Sequence, residues 1–177
     1  HAGAGLTTVI CPRAAMPVLQ QEVPNATCLA AEDQPTPKCD ALLMGCGIAE
    51  NDDTYADMMR LKATDAYQVW DAGALNLLAG HPQQLGARAV ITPHAGEAAR
   101  LLGWEIPAVL ADKLGAAEAL RAKYVCNVVL KSAVTVMLTA DGQQCALNAV
   151  GSPALAKGGS GDALAGILAS LLGQGLP

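Results

Sequence analysis

The chain reads as an α/β domain built on a mostly parallel sheet with helices on both faces. Two observations predict this. Apolar runs of strand length alternate with helical stretches along most of the sequence, the pattern of right-handed strand–helix–strand crossovers. The 177 residues are 52% hydrophobic and only 15% charged, enough to bury a core and offset the entropy of ordering. The length and the absence of a linker, repeat or low-complexity tract predict a single domain over residues 1–177.

The elements follow in order. Leu6 to Cys11 is a strand. After the turn-rich Asp33-Gln34-Pro35-Thr36-Pro37, Ala41 to Met44 is a second, and Gly45-Cys46-Gly47 is a tight turn. Thr54 to Lys62 is a short helix, Tyr67 to Asp71 a strand, Ala74 to Ala79 a helix and Ala89 to Ile91 a brief strand. Thr92-Pro93 marks a helix start, with Thr92 as cap and Pro93 at the first helical position, running to about Leu102 and stopping at Gly103. Pro107 opens a helix to about Lys123, with Val109, Leu110, Leu114, Ala117 and Leu120 on one face. Strands follow at Val125–Leu130, Val134–Thr139 and Gln144–Asn148, the last two joined by the hairpin signal Asp141-Gly142. The final helix begins near Gly161, and its Leu164, Ile167, Leu168, Leu171 and Leu172 form an apolar face expected to pack inward.

Composition excludes several function classes. The net charge is −5 and aromatics are 3%, with no Phe, so the basic stripe with interleaved aromatics that nucleic acid requires is missing. No apolar run reaches the roughly 18–20 residues of a membrane span. The N-terminus has no basic stretch followed by an apolar one, so no signal peptide is predicted and the cytoplasm is the expected location. The six cysteines form no C-x-x-C pair, which argues against zinc and for buried free thiols.

In parallel sheets ligands bind beyond the carboxyl ends of the strands. The candidate site loops are therefore Gly45-Cys46-Gly47, Asp71-Ala72-Gly73, Thr92-Pro93-His94 and Lys131-Ser132-Ala133. The strongest local signal is Lys157-Gly158-Gly159-Ser160-Gly161-Asp162 running into an apolar helix. Gly158, Gly159, Ser160 and Gly161 can turn their N–H groups toward one point, and the helix end adds unpaired N–H groups and partial positive charge: an anion hole for a phosphate. Asp162 at its mouth can accept a hydroxyl proton, or it is a plain helix cap on a glycine-rich turn. Lys131 is a point charge for a phosphate, or a surface lysine at a strand end. His94 is a hydrogen-bond partner for a polar substrate, or structural. Asp71 holds a ligand or a magnesium-bound water, or initiates a helix.

Taken together and in order, DAGALN (71–76), ITPHAGEAARLLG (91–103), VVLKSAVT (128–135) and GGSGDALAGILASLLGQG (158–175), with AGAGLTTV (2–9) and GCG (45–47), resemble the ADP- or ATP-dependent NAD(P)H-hydrate dehydratases of the ribokinase-like superfamily. The resemblance covers nearly the whole chain and implies a ribokinase-like three-layer α/β/α sandwich, truncated at both ends relative to family domains. It implies nicotinamide cofactor repair: the C6 hydroxyl of (6S)-hydrated NADH or NADPH is activated by the terminal phosphoryl of ADP or ATP, with Mg2+, and phosphate is then lost. Carried over by position, Gly47, His94 and Asp162 contact substrate, and Asp162 is the base. Lys131, Ser132, Ala133, Val134, Thr135 and Gly161 contact nucleotide. The family also implies a homo-oligomer and an NAD(P)H-hydrate epimerase, fused or separate. The chain departs from the family at Ser132, usually Gly, at Ala95, usually Pro, at Gly73, often an acid, and at Lys157, usually a small or hydroxyl residue. The rivals are a kinase for a sugar, hydroxymethylpyrimidine or hydroxyethylthiazole, and a non-catalytic nucleotide-binding module.

Overall fold

A computed structural model describes residues 2–176. Six strands form the main sheet: β3 (Ala41–Met44), β4 (Tyr67–Trp70), β5 (Ala89–Ile91), β6 (Asn127–Leu130), β7 (Thr135–Leu138) and β8 (Cys145–Asn148), in that spatial order. β3 to β6 run parallel, and β6, β7 and β8 pair antiparallel. Because neighbours in the sheet are neighbours in sequence, the carboxyl ends of β3 to β6 stand side by side and bring their loops together.

The remaining strands, β1 (Thr7–Cys11) and β2 (Ala26–Ala30), form a separate parallel pair, with α1 (Met16–Glu22) between them. This corrects the expectation of one sheet. The sequence reading has no counterpart for α1 or β2. α1 fully buries no residue and β2 only Ala30, so neither has an apolar stripe of its own.

The other helices are α2 (Asp52–Lys62), α3 (Gly73–Gly80), α4 (Ala95–Leu102), α5 (Ile106–Ala111), α6 (Lys113–Tyr124) and α7 (Ser160–Gly173). They lie on both sides of the sheet over a core in which Trp70, Leu75, Leu78, Ile91, Leu101 and Leu120 are fully buried. Burial of each such side chain stabilises the fold by about 1.5–3 kcal/mol.

Three further expectations are corrected. Thr92 does not cap α4: it is buried and its Oγ1 donates to the Trp70 carbonyl at 3.2 Å. The chain stays extended one step longer because the Lys131 N–H donates to the Pro93 carbonyl at 2.8 Å, so the cap falls to His94. The single helix expected from Pro107 is two. Asp112 breaks it and caps α6, its Oδ1 accepting the Gly115 N–H at 2.8 Å. α7 starts at Ser160, and its apolar face is only partly covered, with Ile167 46% exposed. The Asp141-Gly142 hairpin is present, the Gly142 N–H donating to Thr139 O at 2.9 Å with Gly142 at φ 72°. Of the cysteines, only Cys11 and Cys126 are buried, Cys28 and Cys46 are partly so, and Cys39 and Cys145 are exposed. Among the described residues no helix is long and apolar enough to cross a membrane.

Candidate functional site

The first wall of the site is the pair of loops after β3 and β4. Gly45 has φ 123°, and a Cβ there would lie 1.7 Å from the Asp71 carbonyl oxygen, so only glycine permits the approach. Backbone bonds from Asp71 N to Met44 O at 3.0 Å and from Gly73 N to Gly45 O at 3.2 Å tie the loops together. Between them Ala72 sits at φ 47°, ψ −121°, strain that this packing holds in place. The anchored loop presents the Asp71 carboxylate with a side chain only 2% exposed.

β6 delivers the partner. Lys131 Nζ donates to Asp71 Oδ1 at 2.7 Å, and the lysine side chain is 20% exposed. Neither bland sequence reading holds. Lys131 is not a free surface lysine, and Asp71 does not cap α3, whose N-cap is Ala72. The segment after Lys131 is self-bonded. Ser132 Oγ donates to Val134 O at 3.0 Å, and Thr135 Oγ1 donates to Ser132 O at 3.3 Å. Ala133 stands exposed at the tip.

The start of α7 closes the site. Gly159 takes φ 83° at the N-cap, and the single Ser160 Oγ–H is shared between Leu155 O and Lys157 O, with Oγ 2.7 and 2.8 Å from them, which fixes the loop. Gly158 and Gly159 are exposed. A Cβ at Gly161 would come 3.2 Å from Lys131 Nζ and 3.7 Å from Asp71 Oδ2. The first turn of α7 therefore lies against the ion pair, its unpaired N–H groups beside the lysine ammonium. Asp162 is exposed at this turn. Its carboxylate, the Asp71 carboxylate and Cys46 Sγ all lie within 4.8 Å of one another. Burial, then the neighbouring Asp162 carboxylate, pushes the Cys46 thiol up to about 12, so it remains a neutral S–H. Sequence reasoning places the Gly45-Cys46-Gly47 loop at the site but reads Cys46 only as one of the buried free thiols; its contact with Asp162 comes from the fold. Gly47, at φ 70°, is exposed on the same loop.

His94 stands on the neighbouring loop, bridged to Lys131 by backbone pairing. Its ring Nδ1 accepts the Gly96 and Glu97 N–H groups at 3.0 and 3.2 Å, while Glu97 Oε2 accepts the His94 N–H at 2.9 Å, a reciprocal cap of α4. The arrangement thus combines, at one sheet edge, a helix N-terminus and a lysine suited to phosphate, an exposed carboxylate suited to a proton, and an imidazole at the rim.

Over residues 1–177 the chain matches the profile of the NAD(P)H-hydrate dehydratase family. It belongs to that family. Among relatives, the bifunctional NAD(P)H-hydrate repair enzyme Nnr of Vibrio cholerae is 43% identical over 139 residues, 78% of this chain and 28% of that protein. A ribokinase-like superfamily protein of Enterococcus faecalis shares the fold with a TM-score of 0.84 at 28% identity, covering 98% of this chain and 63% of that one. The ADP/ATP-dependent NAD(P)H-hydrate dehydratase of Bacillus subtilis, co-crystallised with ATP/Mg2+ and soaked with CoA, superposes with a TM-score of 0.85 at 26% identity, covering 97% of this chain and 65% of that one. The fold is accordingly ribokinase-like, a mostly parallel sheet between helical layers, as the sequence predicts. The chain spans well under half the length of the bifunctional relatives it matches.

Proposed function

We propose that this chain catalyses the nucleotide-dependent dehydration of (6S)-NAD(P)H hydrate to NAD(P)H, by phosphorylation of the C6 hydroxyl and loss of phosphate. One observation carries the reading: the first turn of α7, with Asp162, packs against the Lys131–Asp71 pair in a chain of this family. The same observation supports ADP or ATP as phosphoryl donor and hydrated NADH or NADPH as substrate. The family match favours this over a small-molecule kinase.

Hydroxide is a poor leaving group and phosphate a good one, so the reaction needs a site that first makes a phosphate ester. Asp162 is the member of the cluster placed to take the hydroxyl proton: Asp71 is held by Lys131, and Cys46 keeps its own proton, directed at the Asp162 carboxylate, which retains further lone pairs for a substrate hydroxyl. The N–H groups of Gly158, Gly159 and Gly161 would neutralise charge on the transferring group; the Ser160 N–H, expected among them, turns instead to the Lys157 carbonyl at 3.4 Å, and its hydroxyl braces the loop. Lys131 and the segment Ser132, Ala133, Val134 and Thr135 would hold the nucleotide with Gly161. Gly47 and His94 would line the substrate side.

Magnesium fits this donor set in part. The Asp71 and Asp162 carboxylates are hard oxygen donors of the kind it takes alongside phosphate oxygens, whereas the protonated Cys46 thiol is not. When bound it would supply charge neutralisation at the phosphates. In this reading residues 1–177 form one ribokinase-like domain of a cytoplasmic homo-oligomer that works with an epimerase, fused or separate.

The test is direct. Protein, hydrated NADH, Mg2+ and either ADP or ATP are mixed, and the reduced-nicotinamide absorbance band is followed. Recovery of the band with phosphate release is expected, and the faster nucleotide identifies the donor. Nucleotide binding without recovery of the band would refute the dehydratase and point to a kinase.

A further inference from the structure

The reciprocal cap at the start of α4 does more than end a helix. Histidine is not among the favoured capping residues, which are Ser, Thr, Asp and Asn. Here the imidazole takes that role by accepting two first-turn N–H groups on Nδ1, at 3.0 and 3.2 Å. A nitrogen that accepts two N–H bonds carries no proton, so the neutral ring has its proton on Nε2. The side chain is 61% exposed. Nε2–H is thus available at the rim of the site as a donor, and Nδ1 is unavailable as a base.

Glu97 completes the arrangement from beneath. Its side chain is 9% exposed. Oε2 accepts the His94 backbone N–H at 2.9 Å, and Oε1 lies 3.5 Å from Nε2. One oxygen therefore fixes the backbone that carries the ring; the other takes no hydrogen bond from Nε2, so the Nε2 proton stays free, but it sets a negative charge on that side of the ring. A carboxylate in that position stabilises the Nε2–H tautomer and disfavours the alternative, which would set an Nδ1 proton against two N–H donors and a bare Nε2 lone pair against an anion.

We propose that Glu97 is a positioning residue that locks His94 as the Nε2–H tautomer and aims it as a hydrogen-bond donor to an oxygen of the substrate. The inference rests on the substrate role given to His94 under the proposed function. It adds that His94 does not accept the hydroxyl proton, which leaves that step to Asp162.

The tautomer is read without substrate by long-range proton–nitrogen NMR of the histidine rings in 15N-labelled protein, with His94→Gln to assign the signal. The wild-type ring is expected as a single Nε2–H tautomer. Glu97→Ala keeps the two backbone donors on Nδ1 but frees the His94 backbone and removes the nearby charge, so a detectable Nδ1–H population should appear beside Nε2–H, and KM for hydrated NADH should rise by up to about tenfold, the worth of one hydrogen bond, with kcat and nucleotide KM unchanged. Glu97→Gln keeps an oxygen for the His94 N–H and should restore most of the KM. An Nδ1–H ring in the wild type, an unchanged tautomer in Glu97→Ala, or a loss confined to kcat would overturn the proposal. Failure of the reaction itself is distinguishable: a locked, Glu97-dependent tautomer in a protein that does not repair the hydrate would support the lock and refute only the assigned substrate.

Discussion

Lys131→Met tests the energetic centre of the site. The 2.7 Å contact between Lys131 Nζ and Asp71 Oδ1 joins residues 60 apart in sequence, so it is a tertiary contact. At an effective dielectric of about 20 the gross attraction is about 6 kcal/mol. Most of it offsets the desolvation of two charges, so the pair itself is worth far less than that figure. Removing one partner is a different matter. Lys131→Met leaves the Asp71 carboxylate, 2% exposed, without a counter-charge, at a cost of about 3–5 kcal/mol. Asp71→Asn strands the lysine instead, but that side chain is 20% exposed and can reach water, so about half the cost is expected. The double variant removes both charges and should be more stable than the sum of the singles by about 2 kcal/mol or more. Urea unfolding of the four proteins measures all three quantities, and thermal scans should place Lys131→Met about 6–20 °C below the wild type. Single costs below about 1 kcal/mol that simply add would refute the claim that this pair is buried and coupled.

Other predictions concern the same edge. Asp162→Asn should lower turnover at least about 100-fold while nucleotide affinity by calorimetry stays unchanged; near-normal turnover would remove it as the base. Gly161→Ala should weaken nucleotide binding more than it weakens the fold, since its Cβ would press on Lys131 Nζ from 3.2 Å. Gly45→Ala, with a Cβ 1.7 Å from the Asp71 carbonyl, should cost about 3 kcal/mol or more by urea unfolding, or prevent folding. The alkaline limb of stability is set by buried neutral groups: burial raises the Cys126 thiol from 9.0 to about 12. A raised folded value means the contribution is whole below pH 9 and is lost as pH climbs toward 12, so Cys126→Ala should flatten the decline of stability over that window.

Much of this was legible before the fold. β3, β5 and the hairpin of β7 and β8 are short apolar runs bounded by glycine, proline and Asp-Gly, so local pattern suffices to place them. So is the glycine-rich start of α7, because backbone freedom and helix polarity are properties of the local chain. α1 and β2 were not, since neither carries a buried stripe whose period could be read. The cap of α4 departs from the local pattern for a related reason: Thr92-Pro93 is the better local signal, and only the bond from the Lys131 amide to Pro93, across two strands, keeps the backbone extended to His94.

By itself the sequence determined the layer architecture, the loops that meet at the carboxyl edge and the family, because each depends on periodicity, turn chemistry or motif order along one stretch of chain. Only the tertiary structure decided which side chains meet. Asp71 pairs with Lys131 and Cys46 faces Asp162, because parallel crossovers bring the ends of four strands and one helix to the same place, and charges, unlike apolar stripes, carry no periodicity that names their partners.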